Sequence, residues 1–124
     1  MNTYNANNLL PALAAAAADT FNSADQLNPD SRGVRVTVDV TVATTTSAVI
    51  NIQIKDPASG KYVTILSSAA ITTVSTTVLT VYPGATAAAN AAVSIPLGRV
   101  WRVQAVVTGG SSALTATVGA SLLA

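Results

Sequence analysis

The sequence contains no cysteine, no histidine and no glutamate, and these absences limit the chemistry available to the chain. Without cysteine there is no disulfide framework and no thiol nucleophile. Without histidine or glutamate, the commonest general bases and zinc ligands are also missing. We therefore expect a protein that is not an enzyme and that has no catalytic residues, no cofactor and no metal. Every acidic residue is an aspartate, at positions 19, 25, 30, 39 and 56.

Charged and aromatic residues are both scarce. Charged residues make up 9% of the chain, against roughly 25% in a typical soluble domain. The net charge is +1 without a basic cluster, which argues against nucleic acid as a partner. The longest apolar run, residues 9–18, is broken by Pro11 and is too short to cross a bilayer. We expect no nucleic acid, no membrane and no small-molecule substrate among the partners.

Several stretches of the sequence alternate between apolar and polar residues with a period of two. In residues 34–44, valines at every second position alternate with mostly polar residues, which predicts a strand with one dry face. Residues 47–67 predict a hairpin around the turn sequence DPASG. Its first arm places Ala48, Ile50, Ile52 and Ile54 on one face. In its second arm we expect Val63 and Ile65 on one face and Tyr62, Thr64 and Leu66 on the other.

Further short strands are predicted along the chain, separated by turn signals such as Tyr82-Pro83-Gly84 and Gly109-Gly110-Ser111. Seven to eight strands without helical alternation predict an all-β fold, an antiparallel β-sandwich or a jelly-roll-like barrel. The additional strands are expected within residues 19–24, 69–73, 76–82, 93–95, 99–108 and 113–123.

Residues 1–18 are expected to form an N-terminal arm or short helix, before a β-sandwich domain at residues 19–124. The alanine-rich stretch from Leu9 to Ala18 favours helix, and Pro11 suits a first helical turn. A helix this short is marginal in water, so it must dock. It either packs on its own domain through Leu10 and Leu13, or it is an arm that reaches another subunit.

Few residues form a pattern that suggests a site. Asp30 and Asp56 lie in turns, where aspartate caps backbone groups. Asp25 and Asp30 match no calcium-loop spacing, and Ser59 and Lys61 lie in an exposed turn where lysine stays charged.

Arg99, Trp101 and Arg102 form the one concentrated group of residue types that are common at interfaces. In a regular strand Trp101 and Arg102 face opposite ways, so we expect Trp101 in the core. Arg102 is then free to pair with a carboxylate, for which Asp39 is one candidate.

The low charge also indicates an assembly component. Lysine and glutamate normally protect sheet edges from pairing with other chains. A β-rich chain with few charges has little of this protection, so its edges and flat faces are expected to lie in interfaces.

The order of several motifs resembles small virion proteins of tailed bacteriophages, of the head decoration or cement type. The motifs are RGVRVTVDVT, then IQIKDPASGKYVTILSSAAI, LTVYPG, IPLGRVWRVQAVVTGG and TATVGASLL. They extend over most of the chain, from Asn22 to Leu123. Each motif is weak by itself, and their order is what is distinctive.

The resemblance implies a non-enzymatic structural protein that is made in the host cytoplasm and located on the capsid surface of the virion. Its partners would be the major capsid protein and copies of itself, as a homotrimer. A neck or tail component is the first alternative, and an extracellular carbohydrate-binding β-sandwich module is the second. The latter would need an exposed ring among Tyr4, Tyr62, Tyr82 and Trp101. Expected partner contacts are Tyr4, Leu9, Leu10 and Leu13 in the N-terminal segment, with Arg99 and Arg102.

Overall fold

The structure, a computed structural model, describes residues 5–6, 8–44, 46–109 and 114–124. These residues form two β-sheets and no helix, so the predicted all-β sandwich is confirmed. None of them forms a helix long and apolar enough to span a membrane. Tyr4 and part of the turn predicted at residues 109–111 lie outside the described residues.

In chain order the strands are β1 (Asn5–Ala6), β2 (Asp19–Asn22), β3 (Gln26–Leu27), β4 (Gly33–Ala43), β5 (Ser47–Lys55), β6 (Tyr62–Ser67), β7 (Ser75–Val81), β8 (Ala92–Val93), β9 (Val100–Thr108) and β10 (Leu114–Leu123). Three of these described strands have only two residues, which accounts for the excess over the seven to eight predicted. Sheet I contains five strands, in the spatial order β1-β10-β4-β7-β8, and sheet II has the order β2-β9-β5-β6, with β3 also paired to β9. All of these pairings are antiparallel except that of β7 with β8.

The core lies between the sheets and is filled by small and β-branched side chains. The alternation predicted for residues 34–44 is confirmed up to Val40, because the valines from Val34 to Val40 are buried while Arg35 and Asp39 are exposed. It is wrong at Val42, which is 47% exposed because a register shift between β4 and β10 reverses the facing beyond Val40. The same pattern on β9 buries Trp101, as expected. Burial of these apolar faces stabilises the sandwich by about 25 cal/mol for each Å² removed from water.

The predicted hairpin is present as β5 and β6. Its turn contains Gly60 at a φ of +75°, a backbone conformation that glycine adopts without strain. The face predicted for the second arm is wrong at Leu66, however. A register shift beside Ile52 places Leu66 opposite Ile52, so Leu66 is buried and Ile65 is only half-buried. A bulge of this kind reverses the facing of every residue beyond it.

The N-terminal segment, residues 8–18, does not form the predicted helix. It follows the edge of β10, where Leu9 N donates to Val118 O at 2.8 Å and Ala116 N donates to Leu13 O at 2.9 Å. Leu10 and Leu13 are buried in the sandwich core. These edge hydrogen bonds and the burial of two leucines outweigh the helix propensity of alanine, which is a weak preference.

Two other predicted strands are shorter in the structure. Of residues 69–73, Ile71 forms a single bridge to Ala48. The strand predicted at residues 93–95 is the two-residue β8, whose partner β7 confirms the prediction for residues 76–82. The turn after β7 is also confirmed, since Gly84 has a φ of +90° and Ala85 N donates to Tyr82 O at 3.1 Å.

Candidate functional site

Polar side chains are concentrated on the outer face of sheet II, the face that points away from the core. On β9, and on β5 from Ala48 to Ile52, every second residue is buried, and the residues between them point outward. Gln53 belongs to the same outward row but is only 7% exposed, because its neighbours cover it. Pairing of the two strands places Asn51 opposite Gln104 and Gln53 opposite Arg102. Asn22 on β2 is in turn opposite Gln104, so the polar row extends across three strands.

These side chains are joined by hydrogen bonds into what we call the amide network, made of Asn22, Asn51, Gln53 and Gln104. Gln104 lies at its centre. Its Nε2 donates to Asn22 Oδ1 at 3.0 Å, and its Oε1 accepts from Asn51 Nδ2 at 3.1 Å and from Gln53 Nε2 at 3.4 Å. The network reaches β6, because Gln53 also donates to Thr64 Oγ1 and Ser67 donates to Asn51 Oδ1.

A second group, the tyrosine cluster, adjoins the amide network and consists of Asp25, Lys55, Tyr62 and Arg102. The Arg102 guanidinium lies 3.5 Å from the centre of the Tyr62 ring, while its Nε donates to Gln53 Oε1 at 2.8 Å. The Tyr62 hydroxyl donates to Asp25 Oδ1 at 2.6 Å. Lys55 completes the cluster through a 3.2 Å ion pair with Asp25 Oδ2.

The charges of the tyrosine cluster stabilise one another. The hydrogen bond from Tyr62 lowers the pKa of Asp25 most, and desolvation, the next largest effect, raises it. The hydrogen bond to Lys55 and the charges of Lys55 and Arg102 lower it further, so the pKa lies below its usual value. The hydrogen bond and charge of Asp25 raise the pKa of Lys55. At neutral pH both groups therefore stay ionised, and neither has a proton affinity suited to general acid or base work.

The side chains of this face are held by hydrogen bonds, an ion pair and a cation–ring stack. No group of three or more Asp residues that could hold a metal ion occurs within residues 5–6, 8–44, 46–109 and 114–124. Asp25, one of the two carboxylates weighed for calcium, is engaged with Lys55 and Tyr62. The Ser59 hydroxyl donates to Asp56 Oδ2 at 2.6 Å within the turn, and Lys61 is exposed there.

Of the residues expected to contact partners, Arg102 belongs to this face and the others do not. Leu10 and Leu13 are core residues, only 2% and 1% exposed, so their side chains are not accessible for the expected contact with a partner. Leu9 is half-buried beside them, and Tyr4 lies outside the described residues. Arg99 is exposed just before β9, beside an apolar cavity of about 330 Å³ that is also lined by Ile54 and Pro57.

The pairing suggested between Arg102 and Asp39 is wrong. Arg102 is on β9 in sheet II, whereas Asp39 is on β4 in sheet I, where it accepts a 3.2 Å hydrogen bond from Thr76. Asp39 does lie on the outer face between threonines of the neighbouring strands, as its position in the alternation indicated. Asp25 is the carboxylate that lies near Arg102.

Most residues of this face were not among the expected contacts. The available signal was the residue type on the outward positions of β5 and β9, where amides and an arginine replace the threonines of β4. That signal shows which strands carry polar rows. It does not show that these strands are neighbours, which depends on the strand order.

Comparison with known proteins adds no relative to this description. No family model, no curated protein and no solved structure matches the chain. The resemblance to phage virion proteins therefore rests on the order of the motifs quoted above, and what the structure itself establishes is the β-sandwich fold.

Proposed function

We propose that this protein is a non-enzymatic structural component of a bacteriophage particle, a head decoration protein that binds the outer capsid lattice and stabilises it. The observation that carries the proposal is the ordered polar face of sheet II. The amide network, the tyrosine cluster and the partners Thr64 and Ser67 together hold ten polar side chains in fixed positions. These side chains do not provide acid–base chemistry.

Such a face suits a binding partner with its own polar surface. Immobilising a flexible side chain when a complex forms costs about 0.5–1.5 kcal/mol of binding free energy. Side chains that are already ordered avoid most of this cost. An arginine stacked on a tyrosine is also a residue combination that is enriched at interface hot spots. We therefore assign the contact with the capsid protein to this face.

The motif order and the composition support the same function. The resemblance to decoration proteins extends over most of the chain. A β-rich protein with few charges also suits an assembly in which each subunit is surrounded by other copies of itself. We expect a homotrimer on the virion surface, with no nucleic acid, membrane or small-molecule partner. A neck or tail component remains the alternative, and it would form discrete rings with few copies per particle.

The carbohydrate-binding alternative is not supported by the aromatic residues. Trp101 is 2% exposed, and one face of the Tyr62 ring is covered by Arg102. Tyr82 is half-buried, with its hydroxyl bonded to Ala124 O at 2.7 Å. A sugar-binding platform needs aromatic rings whose faces are free. Trp101, Tyr62 and Tyr82 do not present such faces together on one surface.

The test is binding to expanded capsids that lack the protein, prepared from the phage that encodes it. We expect saturable co-sedimentation at a fixed ratio to the capsid protein and a higher capsid disruption temperature. The Arg102→Ala variant should lose at least about tenfold in affinity. Arg35→Ala is the matched control, since Arg35 is exposed on the outer face of sheet I.

Two outcomes would overturn the proposal. If the unaltered protein does not bind capsids, the decoration function is wrong. If Arg35→Ala weakens binding as much as Arg102→Ala, the contact does not involve the outer face of sheet II.

A further inference from the structure

One long segment of the chain carries no charge. Residues 62–98 contain no aspartate, glutamate, lysine or arginine, so every charged residue lies before or after it. This segment supplies β6 at one border of sheet II and both β7 and β8 at the border of sheet I, and β6 and β8 touch each other. One side of the sandwich is therefore uncharged, and we call it the neutral flank.

The neutral flank includes an open strand edge. Within the described parts of the chain β6 pairs with β5 on one side, and no strand pairs with its other side. The Asn90 side chain donates to Ser67 O at one end of the strand, and Thr64 near the other end is exposed. Val63 in β6 is 52% exposed even though it lies opposite Ile54, on the core side of the sheet. An uncharged open edge with an exposed valine favours pairing with another strand.

The opposite border of sheet II offers a matching groove. It ends in β2, which pairs with β9 and has no second partner strand in the described residues. A groove of about 480 Å³ lies between residues 9–12 and residues 20–24, and its lining includes Leu9, Pro11 and Phe21. Phe21 is opposite Ala105, so it points to the core side of the sheet, as Val63 does on the other border.

We propose that β6 of one copy pairs with β2 of the next copy and inserts Val63 into the apolar groove beside Phe21. Three successive antiparallel pairings, β2 with β9, β9 with β5 and β5 with β6, join the two borders, so β2 and β6 run in opposite directions. If the copies are related by rotation about an axis parallel to the strands, β6 of one copy therefore meets β2 of the next copy as an antiparallel pair. Sheet II is then continuous from copy to copy. This inference rests on the proposed homotrimer and not on capsid binding.

The alternation of side chains selects a register. With Val63 opposite Phe21, both point to the core side, and Thr64 then lies opposite Thr20 on the outer side. Thr20 and Thr64 are both exposed within one chain. A contact between two β6 strands about a two-fold axis would bury Val63 against itself and leave the groove empty, which is why we favour the contact between unlike edges.

Cysteine cross-linking tests the contact directly, since the chain has no cysteine of its own. Directly opposite residues of an antiparallel pair lie about 4.5–5.5 Å apart at Cα, within disulfide range. The double variant Thr20→Cys/Thr64→Cys should give covalent dimers and closed trimers on a non-reducing gel after mild oxidation. An intrachain disulfide is excluded because three strand spacings of about 4.8 Å separate the two positions.

The controls decide between the possible contacts. Each single variant, and the pair Thr20→Cys/Thr117→Cys with Thr117 exposed on sheet I, should stay uncross-linked. Dimers formed by Thr64→Cys alone would show two β6 strands in contact and overturn the proposal. Cross-linking of the double variant no stronger than that of the control pair would also overturn it.

A second measurement does not depend on disulfide formation. Val63→Lys would place a charge in the apolar groove, so light scattering should show the trimer reduced to monomer, with a dissociation constant raised at least about tenfold. Val42→Lys is the matched control because Val42 is 47% exposed on β4 in sheet I, away from both borders of sheet II, and it should leave the mass unchanged. If Val63→Lys keeps the trimer, or if the unaltered chain is a monomer, the proposed contact is wrong.

Discussion

The Arg102 guanidinium stacks on the Tyr62 ring at 3.5 Å, and the hydroxyl of that ring is bonded to Asp25. Tyr62 belongs to β6, at one border of sheet II, whereas Asp25 follows β2, at the other border. The tyrosine therefore connects the two borders of the sheet across its outer face, with the arginine beneath it.

Two substitutions of Tyr62 separate the stacking from the hydrogen bond. Tyr62→Phe keeps the ring and should lower the free energy of unfolding by about 0.5–1.5 kcal/mol, the usual net effect of one hydrogen bond. Tyr62→Leu also removes the stacking and should cost about 0.5–1 kcal/mol more. Urea denaturation measures both. Equal losses in the two variants would show that the stacking contributes nothing.

The stability of the fold should depend on the ionisation of Asp25 in acid. The folded state lowers the pKa of this carboxyl, chiefly through the Tyr62 hydrogen bond. Its stabilising effect is therefore complete above the pKa of the unfolded chain and is lost as the pH falls through the lower folded value. Asp25→Asn should be less stable than the original chain at neutral pH, and its stability should fall less between about pH 5 and about pH 2.

Thermal unfolding followed by circular dichroism over this pH range checks the prediction. Tyr62→Phe removes the largest cause of the shift, so it should give an intermediate pH dependence. A curve for Asp25→Asn that is parallel to that of the unaltered chain would contradict the assignment.

The N-terminal segment should be required for the stability of the sandwich. Leu13 is 1% exposed, so Leu13→Ala should lower the free energy of unfolding by about 2–5 kcal/mol through lost burial and a cavity. Leu27→Ala is the control at an exposed leucine and should change it by no more than about 0.5 kcal/mol. A small effect of Leu13→Ala in chemical denaturation would mean that the segment is only loosely attached.

The bulge in the hairpin makes a prediction opposite to that of simple alternation. Leu66 is 8% exposed and faces the core, while its neighbour Ile65 is half-buried. Leu66→Ala should therefore destabilise the protein by about 2–5 kcal/mol, and Ile65→Ala by clearly less. Equilibrium unfolding of the two variants under the same conditions gives the order, and the reverse order would show that strand β6 lacks the bulge.

The elements that the sequence predicts well are those whose period is undisturbed. Residues 34–40 and 99–108 alternate throughout, and both became strands with one buried face, whereas Val42 lies beyond a register shift and is exposed. The bulge in the hairpin has no such local signal, because Leu66 and Ile65 are equally apolar and the register depends on the pairing with β5. For the segment from Leu9 to Ala18 the sequence left a short helix and an arm open, because its own propensity favours helix, whereas the edge of a distant strand provides better hydrogen bonds and burial. The packing on its own domain through Leu10 and Leu13, one of the two alternatives, is what the structure shows.

The candidate site was harder to predict than the fold. Alternation correctly assigned Arg102 and Asp39 to outward positions, but it cannot show that they belong to different sheets. The amide network joins Asn22, Asn51 and Gln104, which are far apart in the chain and meet only through the order of β2, β9 and β5. The order of strands in a sheet is set by pairing between segments that are distant in the chain, and this pairing cannot be predicted from the pattern of a single sequence.

The attachment of the N-terminal segment to β10 also affects the order in which the chain folds. Residues 8–16 emerge from the ribosome long before the strand that holds them, Leu114–Leu123. β10 also pairs with the whole length of β4, so the central strand of sheet I lacks one of its two neighbours until β10 is made. We therefore expect sheet I to be completed only after β10 has been synthesised, and contacts between such distant segments make folding slow.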